Sequence, residues 1–156
     1  MTKRFRFRLQ RVLELREEAE RTRATALAQA QGQASAAREA RDGIIAIREA
    51  GRESVANATT GGTNVGTLRQ MGYVLGALDT RLQQADSSIV TADSAVRHAQ
   101  DELRSAFQAR RALDTLREKQ EGAHRAAEQH ADRVLMDEIA LTRFTTTNTS
   151  PTDPER

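Results

Sequence analysis

The chain lacks cysteine and tryptophan and is poor in other aromatic residues, which together exclude several classes of protein. Without cysteine, neither a disulfide framework nor a thiolate metal site can form. Aromatic residues make up 3% of the 156 residues, and much of the 38% hydrophobic fraction is alanine. Few bulky side chains are therefore available to fill the core of a globular domain.

Proline and long apolar runs are also scarce. The only prolines, Pro151 and Pro154, lie within the last six residues, and Ala, Arg, Glu, Gln and Leu dominate the stretch before them. This composition is typical of long helices. No run approaches the roughly 18 apolar residues of a membrane helix. The basic start is not followed by an apolar segment, so a secretory signal is not expected and the sequence favours a cytoplasmic protein.

The first half carries an apolar pattern in steps of four and three, weak and alanine-rich at its centre. Its positions are Phe5, Leu9, Val12, Arg16, Ala19, Arg23, Ala26, Ala30, Gln33, Ala37, Ala40, Ile44 and Ile47. The pattern predicts a first helix over about residues 4–58. It ends in TTGGTNVGT, where three glycines and several Thr and Asn predict a turn over 59–66.

The second half carries a regular heptad pattern. Its positions are Leu68, Met71, Leu75, Leu78, Leu82, Ala85, Ile89, Ala92, Val96, Ala99, Leu103, Ala106, Arg110 and Leu113. Thr67 followed by Gln70 resembles a capping box at the helix start. Beyond Leu113 the register is expected to slip, with a looser apolar bias that includes Leu116, Val134, Leu135, Ile139 and Leu141. The pattern predicts a second helix over about 67–144.

Two such helices and one short turn predict an all-α fold, a long antiparallel two-helix coiled-coil hairpin. We expect one coiled-coil domain over 1–144, shaped as a rod, and a disordered tail over 145–156. Folding about the turn places residue i opposite roughly 125 minus i. Since the second helix is the longer one, residues 121–144 should project alone.

Arginines within the predicted seam need acidic partners. Arg16 and Arg23 occupy seam positions in the first helix, and Arg16 falls near Arg110. Buried guanidinium groups require paired carboxylates, or stems that let the charge reach water. Glu20, Glu102 and Asp114 are the candidate partners, and a local change of register is the alternative.

No catalytic or metal-binding pattern stands out. The three histidines, His98, His124 and His130, do not have HExxH spacing, and GGTNVGT lacks the lysine of a phosphate-binding loop. A two-helix hairpin has no concave pocket that would exclude water from a reaction. The sequence therefore predicts a non-enzymatic interaction protein without cofactor or metal.

Positive charge is concentrated at the N-terminus, although the net charge is only +2. Lys3, Arg4, Arg6, Arg8 and Arg11 alternate with Phe5 and Phe7 before the first acid, Glu14. Such a segment could bind nucleic acid through phosphate contacts and base stacking. It could also lie on an acidic membrane surface, or simply form the solvated start of a helix. The residues alone leave these alternatives open.

The order of several segments resembles the flagellar export protein FliJ family. FRFRLQRVLELREEAE is similar to the family's N-terminal signature, and MGYVLGALDTRLQQA is similar to its mid-chain segment. RRALDTLREKQE and DRVLMDEIALTRF resemble its later blocks, the second through Asp137, Glu138, Ala140 and Arg143. The resemblance covers about residues 3–144, and the glycine-rich turn departs from the family pattern.

The resemblance implies a non-enzymatic component of the cytoplasmic flagellar type III protein export apparatus. It implies a two-helix stalk similar to the central stalk of rotary ATP synthases, coupling a hexameric export ATPase ring to the membrane export gate. Export chaperones are further implied partners, and flagellum biogenesis, motility and chemotaxis are the processes served. The protein would lie at the flagellar base, peripheral to the inner membrane. The alternatives are the equivalent stalk of a virulence injectisome or another rotary ATPase, or a basic-armed coiled coil that binds nucleic acid.

Under this resemblance, the basic end of the hairpin enters the ATPase ring. The expected ring-binding residues are Arg4, Arg6, Phe7, Arg8, Arg11, Leu116, Val134, Leu135, Ile139 and Leu141. Phe7, which lies off the predicted helix seam, is expected to make an apolar contact with the ring, while the arginines face acidic loops.

Overall fold

The computed structural model describes residues 4–147, and these contain two long helices and no strand. Helix α1 spans Gln10–Thr60 and helix α2 spans Val65–Thr147. The two helices pack against each other, which confirms the predicted all-α fold. Helix α2 includes 145–147, which were expected to belong to the tail, and the rest of the predicted tail lies outside the described residues.

Helix α1 begins at Gln10, later than the predicted start near residue 4. Residues 4–7 are not helical, and the amide of Gln10 donates to the carbonyl of Phe7 across 3.2 Å in a turn. The N-terminus of a helix carries a partial positive charge, so an arginine-rich first turn is unfavourable. Arg4, Arg6 and Arg8 accordingly precede the helix, whereas Arg11 lies in its first turn.

The turn between the helices is built by specific caps. The amide of Thr63 donates to the carbonyl of Ala58 across 3.3 Å, and Gly62 adopts a positive φ of 77°. These are features of a Schellman C-cap, in which glycine takes the left-handed position without strain. Asn64 then caps α2, its Oδ1 accepting from the amide of Gly66 at 3.0 Å. The predicted capping box at Thr67 was wrong, because Asn64 fills the N-cap role three residues earlier.

The described chain forms two compact units. Among the described residues, unit 1 combines 4–16 with 109–147, and unit 2 is the continuous stretch Glu17–Gln108. Unit 2 contains the turn and the helix segments on both sides of it, so it is a helical hairpin by itself.

Ion pairs between α1 and α2 define the register of unit 2. Arg48 Nε lies 2.6 Å from Asp79 Oδ1, and Arg41 Nε lies 2.6 Å from Asp86 Oδ1. Arg38 Nη2 lies 2.5 Å from Asp93 Oδ1, and Arg23 Nη1 lies 3.0 Å from Glu102 Oε2. As numbers rise along α1 they fall along α2, so the segments are antiparallel. Arg23 meets Glu102 as the predicted register requires.

The predicted seam of α2 is confirmed. Its positions from Leu68 to Leu113 are all half-buried, whereas most of the residues between them are exposed. They stay half-buried because the helix has only one neighbouring helix to cover it. In unit 2 the bulky residues of this seam face small ones on α1, among which Ala34 is buried with 2% of its surface exposed.

The predicted seam of α1 was partly wrong. Ala30, Ala37 and Ile44 lie on it, but Ile47 is 60% exposed while the side chain of the next residue, Arg48, is 23% exposed. The stem of Arg48 covers the seam and its guanidinium group reaches Asp79. Arg16 and Arg23, predicted within the seam, are exposed.

Unit 1 is where the N-terminal segment packs on α2. Leu13 is fully buried and Phe7 is 8% exposed, so they form its apolar centre. The heptad register of α2 shifts after Arg117, because the next less exposed position comes four residues later instead of three, as the predicted slip requires, although Leu116 itself stays at the surface. The less exposed positions of this stretch are Arg117, Glu121, His124 and Glu128. Residues 121–128 therefore do not project alone, and the uncovered stretch of described side chains is 129–145.

Candidate functional site

In unit 1, the arginine-rich residues 4–11 (the basic segment) lie at the surface and are attached through the buried Phe7, which serves as an apolar anchor. Arg4, Arg6, Arg8 and Arg11 are all exposed, and none of the four forms an ion pair within residues 4–147. Phe7 lies between them in sequence but points inward. The buried ring fixes the non-helical backbone before α1, so that the neighbouring arginines are held at the surface.

Phe5 extends this anchor along α2. Its ring centroid lies 5.7 Å from that of His124, with the two rings tilted by 60°. His124 Nδ1 in turn lies 3.6 Å from Glu128 Oε2, one turn further along the helix. Tilted aromatic contacts of this kind stabilise packing beyond simple burial. The segment before α1 is thus attached at both phenylalanines.

A shallow groove of about 410 Å³ opens beside this anchor. It is lined by Phe5, Arg6, Phe7, Gln10, Arg117 and Glu121. Within it, Glu121 Oε1 accepts from Arg125 Nη2 at 2.5 Å. This hydrogen bond, helped by the charges of Arg125 and then Arg117, holds the pKa of Glu121 below its ordinary value. The groove therefore combines an ionised carboxylate, already partnered, with the guanidinium groups of Arg6 and Arg117.

The buried position of Phe7 changes its expected role. It was predicted to contact the ring directly, yet with 8% of its surface exposed it offers almost nothing to a partner. Helical periodicity had placed it off the seam, and that reasoning does not apply because residues 4–7 are not helical. Phe7 acts as an anchor for the arginines.

The other predicted apolar residues are exposed on α2. Leu116, Val134, Leu135, Ile139 and Leu141 all lie at the surface of unit 1. Met136 and Phe144 are also exposed there, and sequence reasoning missed both. The sequence could have identified both residues, since they are bulky and apolar and lie in a segment that was predicted to have no partner helix.

These apolar residues surround α2 instead of forming a single face. Successive residues of a helix are rotated by about 100°, so residues seven apart nearly align and residues two apart point in opposed directions. Val134 and Leu141 share one side, and Leu135 and Ile139 share another. Met136 and Phe144 point in two further directions. The segment 129–145 is therefore apolar on all sides, interleaved with charged residues.

A second candidate surface lies in unit 2 near the turn. It is a groove of about 370 Å³ between the helices, and no charged residue lines it. The lining residues are Ile47, Gly51, Ser54, Val55, Thr67, Gln70, Met71, Val74, Leu75 and Leu78. Ile47 and Val74 are more than half exposed at its rim. Sequence reasoning did not predict this groove, because its two walls come from opposite sides of the turn.

Two kinds of feature are absent from the described residues. No group of three or more histidine or carboxylate side chains in 4–147 could hold a metal ion. Within the same residues, neither helix has a stretch apolar enough to span a bilayer.

Comparison with known proteins identifies the family. The model of the flagellar FliJ protein family matches residues 5–149. The chain belongs to the flagellar FliJ protein family. No curated protein and no solved structure matches it. Membership rests on nearly the whole chain, including the anchored basic segment, both helices and the turn.

Family membership sets the broad biological context. The FliJ family is a non-catalytic component of the flagellar type III export apparatus. The family therefore associates with that apparatus at the base of the flagellum. In this context, the exposed arginines, the uncovered part of α2 and the uncharged groove are candidate surfaces for other components.

Proposed function

We propose that the chain is a coupling stalk between the export ATPase ring and the membrane export gate, acting in the cytoplasm with export chaperones as further partners. The observation that carries this proposal is the apolar character of residues 129–145 on all sides of α2. Exposed apolar side chains that point in every direction around a helix can be covered together only by a partner that encloses it. A ring that encloses the helix meets this requirement, whereas a flat partner would leave most of these side chains in water.

The basic segment suits the same partner. Arg4, Arg6, Arg8 and Arg11 are exposed charges on an anchored backbone, and such charges steer association and orientation more than they add affinity. In the proposed complex they face acidic loops of the ring, as the family resemblance implied. The buried side chain of Phe7 holds the basic segment against unit 1.

The uncharged groove of unit 2 is the proposed gate surface. A coupling protein needs a second surface, separate in sequence from the first, and this groove uses only residues 47–78. Its lining is apolar or neutral, so it suits an apolar segment of a partner, which would cover Ile47 and Val74.

The test compares two sides of α2 in a binding assay with the purified export ATPase. Val134→Ser with Leu141→Ser alters one side, and Leu135→Ser with Ile139→Ser alters another. If the ring surrounds the helix, both double variants weaken binding, while Asp137→Ala serves as a polar control and does not. Loss of binding in only one double variant would indicate a flat interface and contradict the enclosed arrangement.

A second test concerns charge. Reversing Arg4, Arg6 and Arg8 to glutamate should leave the helix content unchanged, because these residues precede α1 and are exposed. Binding to the ATPase should weaken, and most at low salt, where charges are least screened. Unchanged ATPase binding together with lost binding to DNA or RNA would instead favour the nucleic-acid alternative.

The gate surface is tested separately. Ile47→Glu or Val74→Glu places a charge in the groove at an exposed position, so the fold should tolerate it. We expect lost association with the export gate and unchanged binding to the ATPase. If gate association survives both changes, the groove is not the gate surface.

A further inference from the structure

The ion pairs of unit 2 repeat with the period of the coiled coil. Asp79, Asp86 and Asp93 are seven residues apart on α2, and each pairs with an arginine of α1. We name these three residues the aspartate row. Arg41 and Arg48 are also seven residues apart on α1. A displacement of one heptad would bring Arg48 to Asp86 and Arg41 to Asp93, so two of these pairs would be replaced.

The apolar seam of α2 repeats with the same period. Large and small residues alternate along it through Leu82, Ala85, Ile89, Ala92, Val96, Ala99, Leu103 and Ala106. This segment therefore presents almost the same surface after a shift of seven residues. Opposite it, α1 supplies Ala30, Ala34 and Ala37, whose small side chains accept either a large or a small neighbour. Packing discriminates weakly between the two pairings, because distinct shapes are what normally fix a register.

The turn region also contains Gly66, four residues after Gly62, which is close to the shift that a displaced turn needs. The observed turn uses Gly61 and Gly62, the latter with positive φ. In a register displaced by one heptad, each α1 residue lies opposite an α2 residue seven positions further along the chain. The centre of the turn then moves by between three and four residues, to the region of Gly66. Gly66 is now the second residue of α2, capped by Asn64. A glycine at this position can adopt the left-handed conformation that a displaced turn needs.

From these three repeats we infer that unit 2 has a second, minor register displaced by one heptad, about 10.5 Å along α2. The observed register is the major one, because the displaced register leaves Asp79 without Arg48 and separates Arg23 from Glu102. Sliding between the two registers would move α2 lengthwise along α1. A partner that binds the displaced form more tightly would shift the population toward it.

The absence of cysteine makes the test direct. In the full chain, Ala34→Cys with Ala92→Cys reports the observed register, and Ala34→Cys with Ala99→Cys reports the displaced one. Ala34→Cys with Gln100→Cys is the matched control, since residue 100 is next to 99 but on another side of the helix. Under mild oxidation, we expect a disulfide in the first pair within minutes. The second pair should form one at about 0.1–10% of that rate, the range of a minor state, and above the control.

Two single substitutions separate sliding from general fraying. Gly66→Ala should suppress the displaced disulfide without slowing the observed one, because an added Cβ meets only ordinary contact in the present helix. Gly72→Ala, in open space on the same helix, is the control and should not suppress it. Asp79→Asn should increase the displaced disulfide, since Asp79 stabilises only the observed register. A rate for the displaced pair equal to that of the control, or one unchanged by Gly66→Ala and Asp79→Asn, would overturn the inference.

Discussion

The side chain of Leu75 closes over Gly51, where a Cβ added to the glycine would lie 3.1 Å from Cδ2 of Leu75. This is a tight approach between α1 and α2, and it forms part of the floor of the uncharged groove. The absence of a side chain at residue 51 lets Leu75 reach the backbone of α1. Gly43 lies in the same helix but has open space at the corresponding position.

This contrast predicts different effects of the same substitution. Gly43→Ala should raise the free energy of unfolding by roughly 0.5–1 kcal/mol, because alanine is the better helix former. Gly51→Ala should gain less, since Leu75 must move, and Gly51→Val should be destabilising. Urea denaturation followed by circular dichroism measures all three. A gain at residue 51 equal to that at residue 43 would mean that Leu75 does not pack there.

The fully buried Leu13 should be the most sensitive leucine of the first helix. Leu13→Ala should lower the free energy of unfolding by about 2–5 kcal/mol, the usual cost of removing a buried leucine side chain. Leu15→Ala is the control, because that side chain is 62% exposed and should cost little. Similar losses in the two variants would show that residue 13 is not the buried one.

The Arg48–Asp79 pair should contribute modestly to stability. Its arginine is the less exposed partner, and the pair joins two helices, so a double-mutant cycle with Arg48→Met and Asp79→Asn should give a coupling of about 0.5–1 kcal/mol. The more exposed pair Glu18–Arg21, at 3.7 Å within one helix, should give nearly none. The coupling should fall as salt is added. At 1 M salt the Debye length is about 3 Å, so the coupling energy of a partly exposed pair should be screened. An unchanged coupling energy at 1 M salt would contradict the partly exposed position of this pair.

The carboxyl of Glu121 should titrate below its ordinary range. The hydrogen bond from Arg125 is the main cause, and the charge of Arg125 is the next. Because the pKa is lower in the folded protein, this interaction stabilises the fold above the unfolded pKa and is lost as pH falls through the folded pKa. NMR titration of the side-chain carboxyl measures the pKa directly. Arg125→Gln should raise it toward the ordinary value, and an unchanged pKa would show that Arg125 is not the cause.

The sequence predicted the buried positions of a helix best where neighbouring side chains differ strongly in volume. The seam of α2 was predicted position by position, because Leu, Ile and Val recur against alanine. The seam of α1 was not, because alanine and other small residues stand at neighbouring positions, such as Ala34, Ala36 and Ala37. Periodicity cannot choose between positions of equal volume. There the ion pairs and the stem of Arg48 decide which residues face α2.

Of the candidate surfaces, the sequence predicted those that depend on residues close together along the chain and missed those that depend on the fold. The exposed arginines and the apolar residues of α2 follow from composition along the chain. The inward orientation of Phe7 does not, since it depends on where α1 begins. The uncharged groove combines Ile47 and Val74 across the turn, and no local pattern connects them.

In the ion pairs Arg23–Glu102, Arg38–Asp93, Arg41–Asp86 and Arg48–Asp79 of unit 2, the cation lies on α1 and the acid on α2. During synthesis α1 leaves the ribosome first, while its partner segment is still unmade. Two newly made copies of α1 laid side by side would not supply each other with the acids of α2 that Arg23, Arg38, Arg41 and Arg48 use in the folded chain. These four arginines therefore reach their partners only after the chain has made its own α2, so the register of unit 2 is set late in synthesis.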